Sequence, residues 1–559
     1  MKKFLTTLLA LAMVLTALTG MALAEAEREP VTLTMFSMPA NTSGTMTDTY
    51  WTDYLYDELG ITIELLPSGD SDDMQIQAMM AADALPDIII FEGDSYMKNA
   101  IDANMLVPLS DYADKMPNAQ KYMGTAMEYY ADVMSNDGKC YFLSNEVGMT
   151  PLDGMLNWST AIRWDLYQKV GAPEIKTAWD YLPVLKQMQD LNPTNEDGQK
   201  VYAITAWNDW DGFNMANATQ VSMFNGVDTG DQLGSKLPFS CVNFETGELT
   251  NGLEPGSAYI DGLKWFFTAN QMGILDPDSM TQTWNTALEK ANAGRILFAW
   301  WMWAVGGYNT PDRVNADEPI GFTTVLPSEG KMPLYTNRPV GSGWCWAISA
   351  KSENIDRCIE YLDFMCNPDK LMVLANGPKG ETWDVNEEGK PYLTETGITA
   401  TTDPSYVLSA GGKMGDGLSI INSTPLSRAV VSETYGSTIG YADWETYAPE
   451  TTKLEQARID VTGYKKPVEM LLDKGGYVNM PLANSFVAPL PDEMQILATQ
   501  IGDIVKTQSW LAVYAADEAE FDQIVNDMYE AAMELGLEDL MEYNKTAWEA
   551  AFETAAKYE

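Results

Sequence analysis

The chain has no histidine among its 559 residues, against 80 Asp and Glu and 34 Lys and Arg. That absence removes Ser-His-Asp and Cys-His catalysis, histidine-ligated zinc or haem, and imidazole as a general base. Carboxylate, Lys, Tyr or Cys chemistry stays open, yet among 80 carboxylates no particular pair stands out. A carboxylate-based glycoside hydrolase needs two facing acids about 5–5.5 or 6.5–9.5 Å apart. Tryptophan is more informative. Twelve of the 17 fall between Trp158 and Trp346, crowded at Trp207-Asn208-Asp209-Trp210, Trp300-Trp301-Met302-Trp303 and Trp344-Cys345-Trp346. Indole planes pack on the C–H faces of sugar rings, while Asp, Asn and Arg hydrogen-bond the hydroxyls. Peptides stack on indole too, so residue type alone leaves sugar and peptide open.

Neighbours in the run Trp300 to Trp303 cannot all face one core, whether strand or helix, so at least one is expected to face a ligand. Trp344 and Trp346 share a strand face and are expected to be buried, or ligand-facing, together. The candidate ligand-binding residues here are Trp207, Trp210, Asp211, Trp300, Trp303 and Trp344. Arg338, Trp383 and Tyr308 are weaker candidates, as polar-edged residues in turn-rich segments. Five cysteines, at 140, 241, 345, 358 and 366, are an odd number without CxxC or metal-like spacing, and read as buried free thiols. No catalytic residue, metal or cofactor is expected.

The elements that must carry these residues begin with alternation of strand and helix. Val31 to Phe36 is β-prone, Trp51, Leu55 and Leu59 recur at helical spacing, and Gly60 stops that helix. Ile61–Leu66 is a second strand, Asp72–Ala84 a second helix, and Pro86–Phe91 a third strand, apolar without alternation as when both faces are buried. This βαβαβ order makes half of an open parallel sheet, whose ligands bind beyond the carboxyl ends of the strands. The loops Ser37–Ser43 and Glu92–Ser95 lie there, and Asn41 and Asp94 are their candidates. Extended segments follow at Lys139–Ser144, Trp158–Trp164 and Trp344–Ser349. Helices are expected at Trp179–Asp190, Ala258–Met272, Thr283–Ala293 and Ile355–Cys366. A stripe of Phe521, Ile524, Val525, Met528, Ala532 and Leu535 reads as core packing.

Composition bounds the rest. The length suits two or three domains, and 46% hydrophobic residues argue against disorder. A formal charge of −46 disfavours nucleic acid and anionic membrane. Residues 1–24 read as a secretory signal: Lys2 and Lys3, an apolar run from Phe4 to Leu18, then Ala22-Leu23-Ala24 as an A-x-A cleavage site. The mature protein is expected outside the cytoplasm, secreted, at the cell surface or periplasmic.

Several landmarks in order resemble the extracellular solute-binding proteins of ABC importers, family 1, in its long-chain carbohydrate-binding group. They are Ala82 to Ile89 (small-x-x-L-P-D-hydrophobic), Met105 to Tyr112 (L-x-P-L-x-x-Y) and Asp137 to Leu143 (D-G-K-x-Y). Ile162 to Leu166 with Lys176 to Asp180, Gly273 to Asp278, Ala293 to Ile296, and Gly343 to Ser349 leading into Asn354 to Cys366 complete the series. The resemblance implies an α/β, two-lobed periplasmic-binding-protein-like fold of type II. Each lobe would be a mixed or parallel sheet flanked by helices, with a ligand cleft between lobes. Landmark order suggests 31–143 plus 326–367 for lobe 1 and 147–325 plus 368–559 for lobe 2, with a helical C-terminal region.

The implied function is capture of a solute, an oligosaccharide by the tryptophan argument, and its delivery to a membrane permease by a monomer that is not an enzyme. The alternatives are the same fold carrying a peptide or other solute, and the secreted hydrolase. Two departures stand out. Leu18-Thr19-Gly20 is followed by Met21 and not Cys, which precludes acylation there. Long-chain members often carry an acidic calcium loop near residue 195, whereas Asn192 to Gly198 lacks the later carboxylates and reads more plainly as an Asx-rich turn.

Overall fold

The computed structural model describes residues 29–38, 44–67, 72–92, 94–149, 159–210, 212–229, 236–334, 337–403, 405–416, 424–447 and 451–558. The signal-like segment 1–24, Trp158 and the candidates Asn41 and Asp211 lie outside them. The chain divides into two compact units, Met1–Val147 with Val340–Tyr447, and Gly148–Pro339 with Ala448–Glu559.

The first unit is built on a six-stranded sheet. Its order is Gly44–Thr45, Ile61–Leu65, Val31–Ser37, Ile88–Glu92, Ser342–Ile348, Phe142–Asn145. Val31–Ser37 pairs in parallel with both Ile61–Leu65 and Ile88–Glu92, as the βαβαβ reading requires. Ile88, Ile89, Ile90 and Phe91 are all fully buried, which is why that run carries no polar alternation. The first crossover helix, Tyr50–Leu59, is opened by Thr49 accepting from Thr52 and closed by Gly60 at φ +65°. A left-handed cap of that kind suits glycine, and Ile61 starts the next strand directly.

Ser342–Ile348 enters antiparallel between Ile88–Glu92 and Phe142–Asn145. The helix Pro117–Met134 has no capping side chain of its own. Asp363, on the helix Ile355–Phe364, accepts instead from the backbone N–H of Asn118 (2.8 Å) and Ala119 (2.9 Å). Landmark order put the end of this lobe at 367, but the unit runs on to Tyr447. The reason is a hydrophobic cluster of Met372, Val373, Trp383, Leu393 and Trp444, against which Tyr54 packs.

The second unit contains smaller sheets. Phe298–Ala299, Ala161–Arg163 and Phe322–Thr324 form one antiparallel set, and Leu249–Asn251, Ser240–Asn243 and Val227–Asp228 another. Met332–Leu334 pairs in parallel with Tyr477–Asn479. The helices Ala258–Gln271, Asp492–Val513, Glu518–Leu535 and Leu537–Ala555 are its longest. Phe521, Val525, Met528 and Ala532 are buried along one face of their helix, while Leu535 at its end is exposed. Tyr181, Trp265, Phe298 and Trp300 interlock at ring-centroid distances of 4.8 to 6.5 Å. No helix among the described residues is long and apolar enough to cross a membrane.

Candidate functional site

A polar clasp in the second unit fixes the loop that bears Trp207 and Trp210. Ile204 bridges in parallel to Leu275, and the loop leaving it is hydrogen-bonded down its length to residues 276–284. The Thr205 hydroxyl donates to Asp276 Oδ2 (3.0 Å), the Ala206 N–H to Ser279 Oγ (3.0 Å), and the Asn208 amide to the Met280 carbonyl (3.0 Å). In return the Gln282 amide reaches Thr205 Oγ1 and the Ala206 carbonyl, both at 2.6 Å.

The clasp is anchored by charge. Lys290 Nζ lies 2.7 Å from Asp276 Oδ2 and 2.7 Å from Asp278 Oδ2, with the Lys290 and Asp276 side chains 7% and 1% exposed. Such a pair persists only with close geometry and further hydrogen bonds to the carboxylate, which Thr205 supplies. Lys290 belongs to the helix Trp284–Asn292, whose N-cap Thr283 accepts from Thr286. The Trp284 N–H at its start donates to both oxygens of Asp209, at 2.9 and 3.0 Å. Loop and helix therefore hold their indoles in one place.

Five tryptophans meet there. Trp207 packs edge-on against Trp210 (5.3 Å, 83°) and Trp284 (4.7 Å, 62°), and lies 5.8 Å from Trp301. Trp301, Trp303 and Trp210 follow one another as a stepped shelf, with planes inclined 29° at 5.3 Å and 30° at 5.9 Å. Trp284 closes the group against Trp210 (5.0 Å) and Trp303 (5.3 Å). Trp210 and Trp303 are 48% and 52% exposed, whereas Trp207 is 4% exposed. Large rings are rarely left so open unless something else covers them.

Beneath the shelf is a cavity with room for about one water molecule, lined among others by Thr205, Trp207, Asn217, Trp284, Trp300 and Trp301. Trp207 Nε1, Trp300 Nε1, Asn208 Oδ1 and Gln282 Oε1 are buried without a hydrogen-bond partner. Unpaired buried donors and acceptors are costly.

The sequence candidates separate accordingly. Trp207, Trp210 and Trp303 belong to the shelf. Trp300 does not: it is 4% exposed and packs among Tyr181, Phe224 and Trp265. The run Trp300 to Trp303 thus splits between core and surface, as adjacent residues must. Trp383 is 1% exposed in the first unit, its N–H held by the Gly377 carbonyl at 2.9 Å, so it is a core residue. Tyr308 is also buried, between Arg163 (4.6 Å) and Arg313 (4.1 Å).

Trp344 and Trp346 do not share one burial. Trp346 is fully buried, while Trp344, paired with Glu92 at the sheet's end, is half-buried. Arg338, paired with Gly148 on a two-residue strand, is also half-buried. Asp94 begins the helix Asp94–Asp102. Sequence reasoning missed Trp284 and Trp301 as site residues. A Trp directly after the N-cap Thr283 was the available signal for the first, and the alternation of Trp301 with buried Trp300 for the second.

Elsewhere the polar chemistry is self-contained. Asn195 Oδ1 accepts from the N–H groups of Asp197 (3.2 Å) and Gln199 (2.8 Å), its amide donates to the Ala293 carbonyl (2.8 Å), and Glu196 pairs with Arg313. This is an Asx turn. Among the described residues no group of three or more His, Cys, Asp or Glu could hold a metal ion. All five cysteines are buried and none is in a disulfide, and burial pushes the Cys140 thiol up to about 12, which makes it inert at neutral pH.

Similarity to known proteins agrees with this architecture. FusA, an ABC-transporter substrate-binding protein of Streptococcus pneumoniae solved with fructo-nystose, superposes with a TM-score of 0.64 at 16% identity, over 93% of this chain and 99% of its own. An alginate-binding protein gives 0.60 at 15% identity, covering 93% and 98%. A solute-binding protein of Bifidobacterium longum infantis, described as binding HMO, gives 0.60 at 16% identity, with the same coverage. At these identities the likeness establishes the fold, that of the two-lobed type II binding proteins. No curated protein is significantly similar in sequence. The model of the bacterial extracellular solute-binding proteins matches residues 43–371, more than half of the chain, and the protein belongs to that family.

Proposed function

We propose that the chain is the solute-binding component of an ABC importer and that its cargo is an oligosaccharide. The observation that carries the reading is the five-tryptophan shelf, with Trp210 and Trp303 about half exposed over a polar clasp that fixes them. Rings displayed in steps suit successive sugar rings of a chain. Trp210 and Trp303 are the contact residues, with Trp301, Trp284 and Trp207 behind them. Trp344, Arg338, Asp94, Asn41 and Asp211 are proposed as further contacts. Structural relatives named for fructo-nystose, alginate, HMO and Man1GlcNAc support a glycan cargo.

The work done is capture and release to a permease, with no bond made or broken. The signal-like Met1–Ala24 segment supports export, without a lipid anchor at Met21, and the protein acts as a monomer. Calorimetry and tryptophan fluorescence against panels of oligosaccharides and peptides test the reading. Saturable binding with a changed indole emission is expected for a glycan. Silence toward every glycan together with a peptide response overturns it in favour of a peptide carrier.

A further inference from the structure

We infer that the tryptophan shelf selects uncharged glycans and rejects acidic ones, such as those carrying uronate or sialate groups. This deepens the sugar-binding reading above and rests on it. The faces of the five indoles are the negative part of the ring quadrupole. The charged side chain bonded to the backbone that carries the shelf is Asp209, whose two oxygens accept from the backbone N–H of Trp284. No Lys or Arg among the described residues pairs with it.

Cations are close in sequence but engaged elsewhere. Lys290, on the helix that starts at Trp284, is buried against Asp276 and Asp278. Arg163 and Arg313 lie over Tyr308, and no Lys or Arg among the described residues stands over any of the five shelf rings. The cavity below is lined by uncharged residues alone. A carboxylate on a sugar stacked on these rings would lose water and gain no counter-charge from the shelf, to which Arg338 does not belong, in the field of a chain with formal charge −46.

Trp301, Trp303 and Trp210 have planes inclined by only 29° and 30°, a run of faces that suits flat rings with C–H faces.

The test uses the full mature chain on a glycan array containing neutral, sialylated and uronate oligosaccharides, followed by calorimetry on matched pairs such as galactotriose with trigalacturonate. The neutral member of whichever backbone binds is expected to bind at least about tenfold more tightly. That gap should narrow as ionic strength rises from about 0.01 to 1 M, because screening weakens the repulsion. Asp209→Asn should narrow it at low salt. A uronate that binds as tightly as its neutral partner, or more tightly, overturns the inference and leaves the glycan reading standing. Failure of every glycan, neutral or acidic, overturns both.

Discussion

One tryptophan cluster in each unit shows the same residue used in opposite ways. In the first, Trp383 and Trp444 are 1% and 3% exposed, 5.8 Å apart, and each indole N–H has a carbonyl partner, Gly377 at 2.9 Å and Thr438 at 2.8 Å. In the second, Trp210 and Trp303 display half their surface, and the N–H of Trp207 behind them has no partner. A tryptophan whose ring and N–H are both satisfied is holding a fold together. One whose ring is open, above neighbours with unpaired polar atoms, is arranged for something that arrives later. Exposure makes this distinction, since the indole N–H groups of the buried Trp300 and Trp346 are unpaired too.

The contrast can be broken by substitution. Trp383→Ala should cost the first unit about 4 kcal/mol, seen as an early transition in denaturant unfolding. Ligand affinity of the folded fraction should change by less than about threefold, and a larger loss would remove Trp383 from the structural class. Lys290→Met leaves Asp276 buried without its cation, at a cost of about 3 kcal/mol. It should also disturb the exciton signal of the coupled indoles in circular dichroism. An unchanged signal would mean that the clasp does not set the shelf geometry.

Trp303→Ala reverses the pattern: about 2 kcal/mol of affinity lost, roughly thirtyfold, with stability moved by less than about 0.5 kcal/mol. A large fall in melting temperature would make it a core residue. The smallest effect is expected at Asp363. Burial raises its pKa, against the lowering effect of the Asn118 and Ala119 hydrogen bonds. Its share of stability is therefore complete at acid pH, below the unfolded value, and declines as pH rises through the folded one. Asp363→Asn should flatten that slope, with a stability change below about 1 kcal/mol, measured as melting temperature against pH.

How much of this could be read from the sequence followed from how local each feature was. The βαβαβ start was legible because Gly60, the Trp51–Leu55–Leu59 spacing and the unbroken Ile88–Phe91 run each act within a few residues. The tryptophan crowding was visible, and three of its candidates do sit on the shelf. Trp284 was not found because Asp209, 75 residues away in the chain, recruits it. Trp300 and Trp383 were drawn into cores by partners distant in sequence, and no periodicity records that. The first unit's extension to Tyr447 depends on Trp383 and Trp444 packing beside Tyr54, a contact that landmark order cannot anticipate.

Ser342–Ile348 lies in the interior of the first unit's sheet, between strands that precede it by roughly 200 and 250 residues. During synthesis, Ile88–Glu92 and Phe142–Asn145 emerge long before the strand that separates them, and the whole intervening segment of the second unit comes between. Closing so long a loop makes folding slow and leaves sticky strand edges waiting. The sheet of the first unit can therefore close only after residue 348 has been made. The position of one strand thus ties completion of the first unit's sheet to synthesis of the whole segment 148–339 of the second unit.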